Sequence, residues 1–599
     1  MRISLHPLIM ACLAPILLSA CSLTASKTRA VDEWISEYQE TVQDCFPRVG
    51  DSCALNSPLL ELGRENTALG RHHVTLVEYG VDSLVLRVHL IRAAQEYIDV
   101  QNFILRKDET GELILNELLD AARRGVRVRL LLDQMFSFSD VEYLAKLALA
   151  HRNMEVRFYN PSFNKAEMAK HDWLTGLACC FRRVNQRMHN KLQVVDDVVG
   201  VIGGRNIADR YFEFDTNYEF KDRDVIVYGE ESVAMRRSFD WFWDSPKTVP
   251  VQYLRDVASK LLKTEPQKLA PYEPSARLQA AIVNVDEQDS MFDLFVEPAF
   301  EVGRLEYFSD RPRKQKFPVD APRQDITQEI YSILLGARES VLIQSPYMVL
   351  SKRARDMVRD LRETTPGIEL VFSTNSLAST DADTVYANTH RHKKRYVREL
   401  GFQMYEFKPF PLDAPDFFPR WPILIREKKQ GVRSDSVVSG DDSTIPMPAP
   451  RVGLHSKSLV IDSRVVMIGS HNFDPRSEGF NTENGLIVWD EPFAREVESL
   501  IRRDIEPQNS WVVAMKPKGA EAETALAAPA DLNPPPATWP NSDTSAYQLA
   551  PGKQVVLPGA AGFYQNYYPV GSFPDVVRTR RHLMVVFLGS FFFFLEPIL

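Results

Sequence analysis

The segment His189-Asn190-Lys191-Leu192-Gln193-Val194-Val195-Asp196 has a second, altered copy in His455-Ser456-Lys457-Ser458-Leu459-Val460-Ile461-Asp462. Both copies have the form H-x-K-x4-D. After six further residues both continue with Gly, a Gly or Ser, any residue and Asn, at 203–206 and 469–472. Agreement at five spaced positions indicates an internal duplication. We therefore expect the rest of the chain to bring the two copies together.

The residues around each copy follow the same order of predicted elements. In each half a helix precedes a strand, and a second helix precedes a second strand. These segments are 83–97, 98–103, 111–124 and 126–132 in the first half, and 329–337, 341–347, 352–362 and 368–373 in the second. Helices that alternate with strands predict an α/β fold. The duplication predicts two homologous lobes, each a mixed β-sheet flanked by helices, related by a pseudo-twofold axis with the active site between them.

Composition and pattern divide the 599-residue chain into segments. The predicted boundaries are a signal peptide at 1–20, a spacer at 21–75, a first lobe at 76–250, a connecting segment at 251–310, a second lobe at 311–512 with an insertion at about 412–450, a Pro/Ala-rich linker at 513–562 and an apolar tail at 563–599. The aromatic part of the insertion is expected either to grip acyl chains or to pack on its own lobe. The apolar run at 583–595 within this tail is shorter than the roughly 20 residues needed to span a bilayer, so it is expected at a membrane interface or buried in the fold.

The N-terminus has the features of an export signal. A mostly apolar segment at 5–18 follows Met1-Arg2 and ends in Leu18-Ser19-Ala20-Cys21. This ending resembles the lipobox of bacterial lipoproteins, which implies that Cys21 is acylated and anchors the protein without a spanning helix. Because Ser22 follows the cysteine, the resemblance implies a bacterial envelope protein at the outer membrane, facing the periplasm. The alternative is an ordinary secretory signal cleaved after Ala20.

The cysteines predict no metal site. Of the six cysteines, Cys45 and Cys53 flank a short loop, and export would permit a disulfide between them. Cys179 and Cys180 are adjacent and fit free, buried thiols equally well. The chain contains no C-x-x-C pair, so a cysteine zinc site is not expected.

The duplicated segments supply the chemistry that a phosphodiester needs. Residues 191–195 and 457–461 are predicted to be strands. Residues two apart on a strand face the same way, so each His should project beside its Lys. The small residues let backbone approach a bound group, and the asparagines supply amide donors. The set is His189, Lys191, Gly204 and Asn206 in the first copy and His455, Lys457, Ser470 and Asn472 in the second. Cations and amides would neutralise phosphate oxygens while two histidines do the proton and covalent work.

The duplicated H-x-K-x4-D-x6-G-[GS]-x-N pattern resembles the signature of the phospholipase D superfamily, over roughly residues 76–512. The lobe layout and the lipoprotein-like start are most similar to bacterial cardiolipin synthases of the C type. The resemblance implies that one histidine attacks phosphorus to form a phosphohistidine, while the other protonates the leaving alcohol. A family tendency assigns the nucleophile to His189 and the acid/base to His455.

The resemblance also implies that an acid downstream of each motif orients the histidine of the opposite lobe. Glu483 is the candidate in the second half. Asp222 is the candidate in the first half, with Asp224 as a competing choice. Asp196 and Asp462 read as residues that fix turns rather than as catalysts.

The function implied is that of a membrane-attached phosphatidyltransferase. It would make cardiolipin from phosphatidylglycerol and a second phospholipid, for which phosphatidylethanolamine is a candidate. Lys191 and Lys457 supply positive charge, so no cofactor or metal is expected, and neither nucleic acid nor an obligate protein partner is implied. The alternatives are a phospholipid hydrolase, a nuclease, which the net charge of −9 and the pI of about 5.8 disfavour, and a catalytically silent envelope lipoprotein. The paired histidines argue against the last alternative.

Overall fold

The computed structural model describes residues 23–41, 53–312, 314, 326–432, 447–530, 532, 542–576 and 585. Within these residues the strands form two large mixed sheets flanked by helices, one sheet in each half of the chain. This confirms the predicted α/β class with two lobes. Cys21, Cys45 and the signal segment lie outside the described residues, so lipidation and the Cys45–Cys53 disulfide stay predictions.

The first sheet is built from the first half of the chain. The strands in this half are β1 (His73–Val77), β2 (Tyr97–Asn102), β3 (Arg127–Asp133), β4 (Met154–Tyr159), β5 (Leu192–Val195), β6 (Val199–Gly203), β7 (Tyr218–Lys221), β8 (Asp224–Tyr228), β9 (Thr248–Pro250) and β10 (Phe300–Glu301). All of them except β7 belong to the first sheet. Their order is β10-β1-β8-β6-β5-β2-β3-β4-β9. Strands β2, β3 and β4 are parallel, and the other pairs are antiparallel.

The second sheet repeats this arrangement. The strands in the second half are β11 (Leu305–Ser309), β12 (Ser340–Gln344), β13 (Glu369–Asn375), β14 (Gln403–Phe407), β15 (Arg451–Leu454), β16 (Ser458–Ile461), β17 (Val465–Gly469), β18 (Asn484–Trp489), β19 (Ser510–Met515), β20 (Thr544–Leu549) and β21 (Tyr567–Gly571). All of them except β15, which pairs with β7, belong to the second sheet. Their order is β11-β18-β17-β16-β12-β13-β14-β19-β20-β21. The run from β11 to β19 matches the run from β1 to β9 strand for strand, so the duplication extends to the topology.

The helices cover the sheets. Their bounds are Ala25–Tyr38, Pro58–Leu69, Gly80–Ala93, Glu109–Arg123, Val141–Ala148, Lys170–Cys179, Phe181–Asn185, Glu231–Trp243, Arg255–Leu261, Ala276–Ala281 and Gln288–Met291 in the first half, and Ile326–Leu335, Lys352–Thr364, Asp383–Lys394, Ala414–Phe417, Trp421–Lys429, Pro475–Gly479, Glu491–Asp504, Ala520–Thr524 and Phe563–Asn566 in the second. No helix in the described part of the chain combines the length and apolar character needed to cross a bilayer.

One predicted helix ends earlier than its apolar pattern suggests. The helix expected over 83–97 stops at Ala93, and Tyr97 already belongs to β2. The cause is Asp196, whose carboxylate accepts hydrogen bonds from the backbone N–H groups of Gln95, Glu96 and Tyr97 at 2.8 to 2.9 Å. A side chain 99 to 101 residues away thus ends the helix by capturing its next N–H groups.

The structure corrects the predicted boundaries of the segments. Strand β11 lies inside the predicted connecting segment yet pairs with β18 in the second sheet. Strand β20 lies inside the predicted linker at 513–562 and pairs with β19. Strand β21, in the predicted tail, pairs with β20. These short strands add to an existing sheet edge, and an edge supplies hydrogen-bond partners that a sequence pattern does not reveal.

The aromatic insertion of the second half packs on its own lobe. Phe417, Phe418, Trp421 and Leu424 form a buried cluster with Val452 and Leu454 on β15. The lobe-packing alternative therefore holds for these residues, while 433–446 lie outside the described chain.

Two further predictions concern the adjacent cysteines and the apolar run near the C-terminus. Cys179 and Cys180 form a disulfide with each other and are not deeply buried, which corrects the reading as free, buried thiols. The apolar run 583–595 lies outside the described residues apart from Val585, so its environment stays a prediction.

Candidate active site

The two H-x-K segments meet because each is held by a strand of the opposite half. Strand β15, which ends at Leu454, pairs in parallel with β7, and the N–H of His455 donates to the carbonyl of Lys221 at 2.8 Å. Met188 makes a parallel bridge with Thr482, and the N–H of His189 donates to the carbonyl of Thr482 at 2.9 Å. The two halves therefore exchange equivalent strand contacts about a pseudo-twofold axis.

This exchange places an acid beside each histidine. Nδ1 of His189 lies 2.8 Å from Oε2 of Glu483, and Nδ1 of His455 lies 2.5 Å from Oδ2 of Asp222. Glu483 directly follows Thr482, and Asp222 directly follows Lys221. The backbone contact between the two halves therefore also places each acid beside its histidine. Both acids are fully buried. An acid on Nδ1 orients the ring and leaves Nε2 for chemistry.

Asp224, the competing choice, serves another purpose. Its Oδ2 accepts hydrogen bonds from Ser83 Oγ at 2.7 Å and from Arg87 Nη2 at 3.0 Å. Asp222 and Asp224 are separated by Arg223, whose guanidinium contacts Glu78 and donates to Ser458 Oγ of the second half at 2.9 Å. The structure therefore brings Asp222, and not Asp224, to His455.

Lys191 and Lys457 each directly precede a strand instead of lying on it. Strands β5 and β16 begin at Leu192 and Ser458, one residue later than predicted. Lys191 Nζ donates to the carbonyl of His189 at 2.7 Å, and Lys457 Nζ lies 2.9 Å from Nδ1 of His455. Asn484 holds the backbone at Lys191 in place. The N–H of Lys191 donates to Oδ1 of Asn484 at 3.2 Å, and Nδ2 of Asn484 donates to the carbonyl of Lys191 at 3.1 Å.

Burial governs the ionisation of the four basic groups. It lowers the pKa of His189 well below its usual value, with Lys191 and Lys457 adding to the effect. Burial and then Lys457 lower the pKa of His455 to about 4 against the opposing pull of Asp222. Burial also lowers the pKa of Lys191 to about 7, with Lys457 contributing, and that of Lys457 to about 8. Both imidazoles are therefore neutral at neutral pH in the substrate-free protein.

The acids differ in their ionisation. Burial would raise the pKa of Asp222, but the neighbouring His455 and Lys457 hold it below its ordinary value. Burial raises the pKa of Glu483 despite nearby cations. The His455–Asp222 pair is thus the one better suited to carry a proton.

Gly204 and Ser470 lie against the two acids, and their expected contact with a bound phosphate stays a prediction. A Cβ at Gly204 would overlap the Asp222 carboxylate, so glycine leaves the space that this acid occupies. Ser470 Oγ donates to Glu483 Oε2 at 2.5 Å and accepts from the N–H of Asn484 at 3.0 Å. Both positions therefore hold the acids in place.

The two asparagines are not equivalent. Asn206 donates through Nδ2 to the hydroxyl of Tyr211 at 2.8 Å and accepts from the N–H of Ile104 at 3.2 Å. Oδ1 of Asn472 is buried and has no hydrogen-bond partner among the described residues. Oδ1 of Asn472 therefore remains available as a hydrogen-bond acceptor.

Aromatic side chains surround the two histidines, and the sequence did not predict them at this site. The Phe103 ring lies 4.7 Å from the His189 ring, and the Phe220 ring lies 4.7 Å from the His455 ring. The Tyr211 hydroxyl lies 3.5 Å from Nε2 of His455. A usable signal existed only for Phe103, which directly follows the buried strand β2 at the edge of the sheet where the parallel strands end.

Asp196 and Asp462 lie at the other end of their strands. Both begin turns with positive φ, 50° and 51°, and both carboxylates accept backbone N–H groups of the helix-to-strand connection of their own half. Among the described residues no group of three or more His, Cys, Asp or Glu side chains has the arrangement of a metal site.

Residues 88–243 and 330–505 match the family described as "Cardiolipin synthase, PLD-like domain". The two matches cover more than half of the chain, and each contains one H-x-K copy. The chain therefore belongs to this phospholipase D-like family, which confirms the resemblance noted in the sequence.

The chain is also similar to individual proteins and to a solved structure. The chain is 32% identical over 440 residues to an uncharacterized protein of Helicobacter pylori, covering 73% of this chain and 79% of the relative. It is 29% identical over 425 residues to cardiolipin synthase C of Escherichia coli, covering 70% of this chain and 82% of the relative. A crystal structure of phosphatidylserine synthase from Haemophilus influenzae is 14% identical and superposes with a TM-score of 0.45, covering 76% of this chain and 91% of that one.

Proposed function

We propose that the protein is a membrane-attached phosphatidyltransferase that makes cardiolipin. It takes the phosphatidyl group from one phospholipid and transfers it to the glycerol end of phosphatidylglycerol. Phosphatidylglycerol itself and phosphatidylethanolamine are the candidate donors. The observation that carries the proposal is the pair of buried histidines, each oriented through Nδ1 by an acid of the opposite half. The similarity to cardiolipin synthase C of Escherichia coli supports the choice of lipid.

In the first step Nε2 of His189 attacks the phosphorus of the donor lipid. A phosphorus–nitrogen bond forms while the phosphorus–oxygen bond to the leaving alcohol breaks, and His455 gives that alcohol its proton. His455 must be protonated for this step. The bound phosphate anion and Asp222 both favour the imidazolium form, so substrate binding is expected to raise the low pKa of the free protein.

In the second step the neutral His455 accepts the proton of the incoming glycerol hydroxyl. The hydroxyl oxygen attacks phosphorus, the phosphorus–nitrogen bond breaks, and both histidines return to their initial states. Water in place of the glycerol hydroxyl would make the same site a hydrolase. Water and the glycerol hydroxyl require the same proton transfers. Access to the site must therefore decide which of the two reacts.

The difference between the two histidines supports the role of each. The hydroxyl of Tyr211 lies at Nε2 of His455, where it can share a proton. In the described part of the structure the ring facing His189 is that of Phe103, which has no hydroxyl. A nucleophile needs an unengaged lone pair, and an acid/base benefits from a hydrogen-bonding neighbour, so His189 fits the first role and His455 the second.

Lys191 and Lys457 would neutralise the phosphate and its developing charge. Both are buried and close to the histidines, so the charge they bring acts in a medium of low polarity. The proposal includes acylation at Cys21 and a position at the outer membrane facing the periplasm. Mass spectrometry of the N-terminal peptide from envelope fractions tests both parts.

The direct test is product analysis. Purified protein is incubated with vesicles of phosphatidylglycerol, with and without phosphatidylethanolamine, and the lipids are separated. Cardiolipin is the expected product, and His189→Ala and His455→Ala should each make none from these lipids. Phosphatidic acid alone would replace the synthase with a hydrolase. Cleavage of DNA without any change in lipid would replace both with a nuclease.

A further inference from the structure

The helices Lys170–Cys179 and Phe181–Asn185, here called the 170–185 helix pair, present apolar side chains to solvent. Trp173 and Leu174 are neighbours in sequence and are 38% and 70% exposed. In the second half the matching connection, from β14 to β15, contains the aromatic insertion, in which Phe417, Phe418 and Trp421 are buried. The aromatic side chains of this connection are thus buried in the second half, whereas Trp173 in the first half is partly exposed. Adjacent exposed apolar side chains mark a contact surface.

The charge around this surface is positive. Lys170 precedes the apolar residues and Arg182 and Arg183 follow them, and all three are exposed. The acid within 170–185 is Asp172, which is buried and bound by Lys165 Nζ at 2.8 and 3.1 Å. The chain as a whole has a net charge of −9, so this surface departs from the average. An apolar centre with a basic border is complementary to a bilayer that contains anionic phospholipid.

The helix pair is fastened to the His189 segment. Asn160 donates through Nδ2 to the carbonyls of Arg183 and Gln186, both at 2.8 Å. Its own carbonyl accepts from Nη2 of Arg187 at 2.9 Å, and His189 follows two residues later. The helix pair is therefore joined by hydrogen bonds to the segment that carries His189.

Aromatic rings connect the protein surface to His189. Phe136 is 38% exposed and its ring lies 4.8 Å from Phe103, the ring that faces His189. Gln134, on the same loop, donates through Nε2 to the carbonyl of Ala166 at 3.1 Å, just before the helix pair. Phe103 and Phe136 therefore form an apolar path from His189 to the protein surface.

We infer that the 170–185 helix pair is the surface that seats the protein on a phospholipid bilayer rich in anionic lipid. Trp173 and Leu174 enter the interface, and Arg182 and Arg183 contact phosphate groups. The inference rests on the proposed function, because docking at this place matters for an enzyme whose substrate is a membrane lipid. It differs from the predicted anchor at Cys21, which holds the protein near the membrane without orienting it.

Fluorescence quenching tests the insertion. The full chain carrying Cys21→Ser is mixed with phosphatidylglycerol vesicles whose acyl chains are brominated, and its tryptophan emission is compared with that of the same chain carrying Trp173→Phe. We expect quenching in the first protein and loss of most of it in the second. Equal quenching of both proteins would overturn the inference.

Vesicle sedimentation tests the surface as a whole. In the Cys21→Ser chain, Trp173→Ser with Leu174→Ser should lower binding to phosphatidylglycerol vesicles at least tenfold. Arg182→Gln with Arg183→Gln should lower it on these vesicles and leave binding to neutral phosphatidylcholine vesicles unchanged. The matched control is Leu69→Ser, a leucine that is 55% exposed. Its helix packs through Gly63 on Val198, at the end of β5 away from His189.

Three results separate the possibilities. Equal binding by the Trp173/Leu174 variant and the Leu69→Ser control would overturn the inference. Loss of a dimer in the Trp173/Leu174 variant, seen by sedimentation velocity without vesicles, would assign the surface to a second copy of the chain and also overturn it. Vesicle binding needs no turnover, so a protein that binds through this surface but makes no cardiolipin would refute the proposed function alone.

Discussion

Glu483 Oε2 lies 2.8 Å from Nδ1 of His189 although the two residues are 294 positions apart. The contact exists because Thr482, the preceding residue, exchanges backbone hydrogen bonds with Arg187 and His189 at 3.0 and 2.9 Å. The same arrangement joins Asp222 to His455 in the other direction. Neither half of the chain can thus complete its own histidine, which explains why two copies of the motif occur in one chain.

Replacing either acid by its amide should slow turnover without unfolding the protein. Glu483→Gln and Asp222→Asn keep the shape but remove the charge that orients and supports each imidazole. By analogy with the loss of an orienting acid in other His-dependent enzymes, we expect kcat to fall by about 10²- to 10⁴-fold. Steady-state kinetics measure this, with Glu491→Gln as the control, because Glu491 is exposed at the start of its helix. A fall of less than tenfold would show that the acids only support the fold.

The roles of the two histidines can be separated with a leaving group that needs no proton. When a p-nitrophenyl phosphodiester reacts, p-nitrophenolate leaves as a stable anion, so His455→Ala should still react with it and accumulate the remaining phosphate ester, bonded through phosphorus, on His189. His189→Ala should form no adduct. Mass spectrometry of peptides from acid-free digests identifies the modified residue. Phosphate found on His455 in the His189→Ala protein would reverse the assignment.

Alkaline pH should weaken substrate binding earlier than ordinary lysines would allow. Because burial lowers the pKa of Lys191 to about 7 and that of Lys457 to about 8, both ammonium groups lose protons as the pH rises through this range. We therefore expect kcat/KM for an anionic phospholipid to fall above neutral pH. Lys191→Arg keeps its charge and should move this fall to higher pH, whatever its absolute rate. Superimposable pH profiles of the two proteins would contradict the explanation.

A methyl group at Gly204 should disable the His455–Asp222 pair. A Cβ there would overlap the Asp222 carboxylate, so Gly204→Ala must displace the acid that holds His455. We expect at least a 100-fold loss of kcat, the order seen when a group that positions a catalytic side chain shifts by about 1 Å. The control is Gly303→Ala, where no atom lies within 4 Å of the added carbon. Circular dichroism of both variants checks that the fold is retained, and normal activity of Gly204→Ala would place the acid elsewhere during turnover.

The predictable part of this protein follows from local pattern. The alternation of helices and strands and the two H-x-K copies predicted the lobes, because period and spacing reflect backbone geometry that adjacent residues determine together. The strand starts were missed by one residue at Lys191 and Lys457, and the end of the helix that contains Ser83 was predicted four residues too late. These errors arise where a side chain from a distant segment, such as Asp196 or Asn484, captures backbone groups.

The sequence by itself determined the duplication, the α/β class and the two histidine–lysine pairs. Only the tertiary structure decided that Asp222 rather than Asp224 faces His455, that Gly204 and Ser470 hold the acids, and that Tyr211 distinguishes the two histidines. It also decided that the aromatic side chains of one connection of the duplicated fold are buried, in the insertion, whereas Trp173 and Leu174 of the other are exposed. The physical reason is that these relationships join residues far apart in the chain, and strand pairing between the halves sets which of them meet.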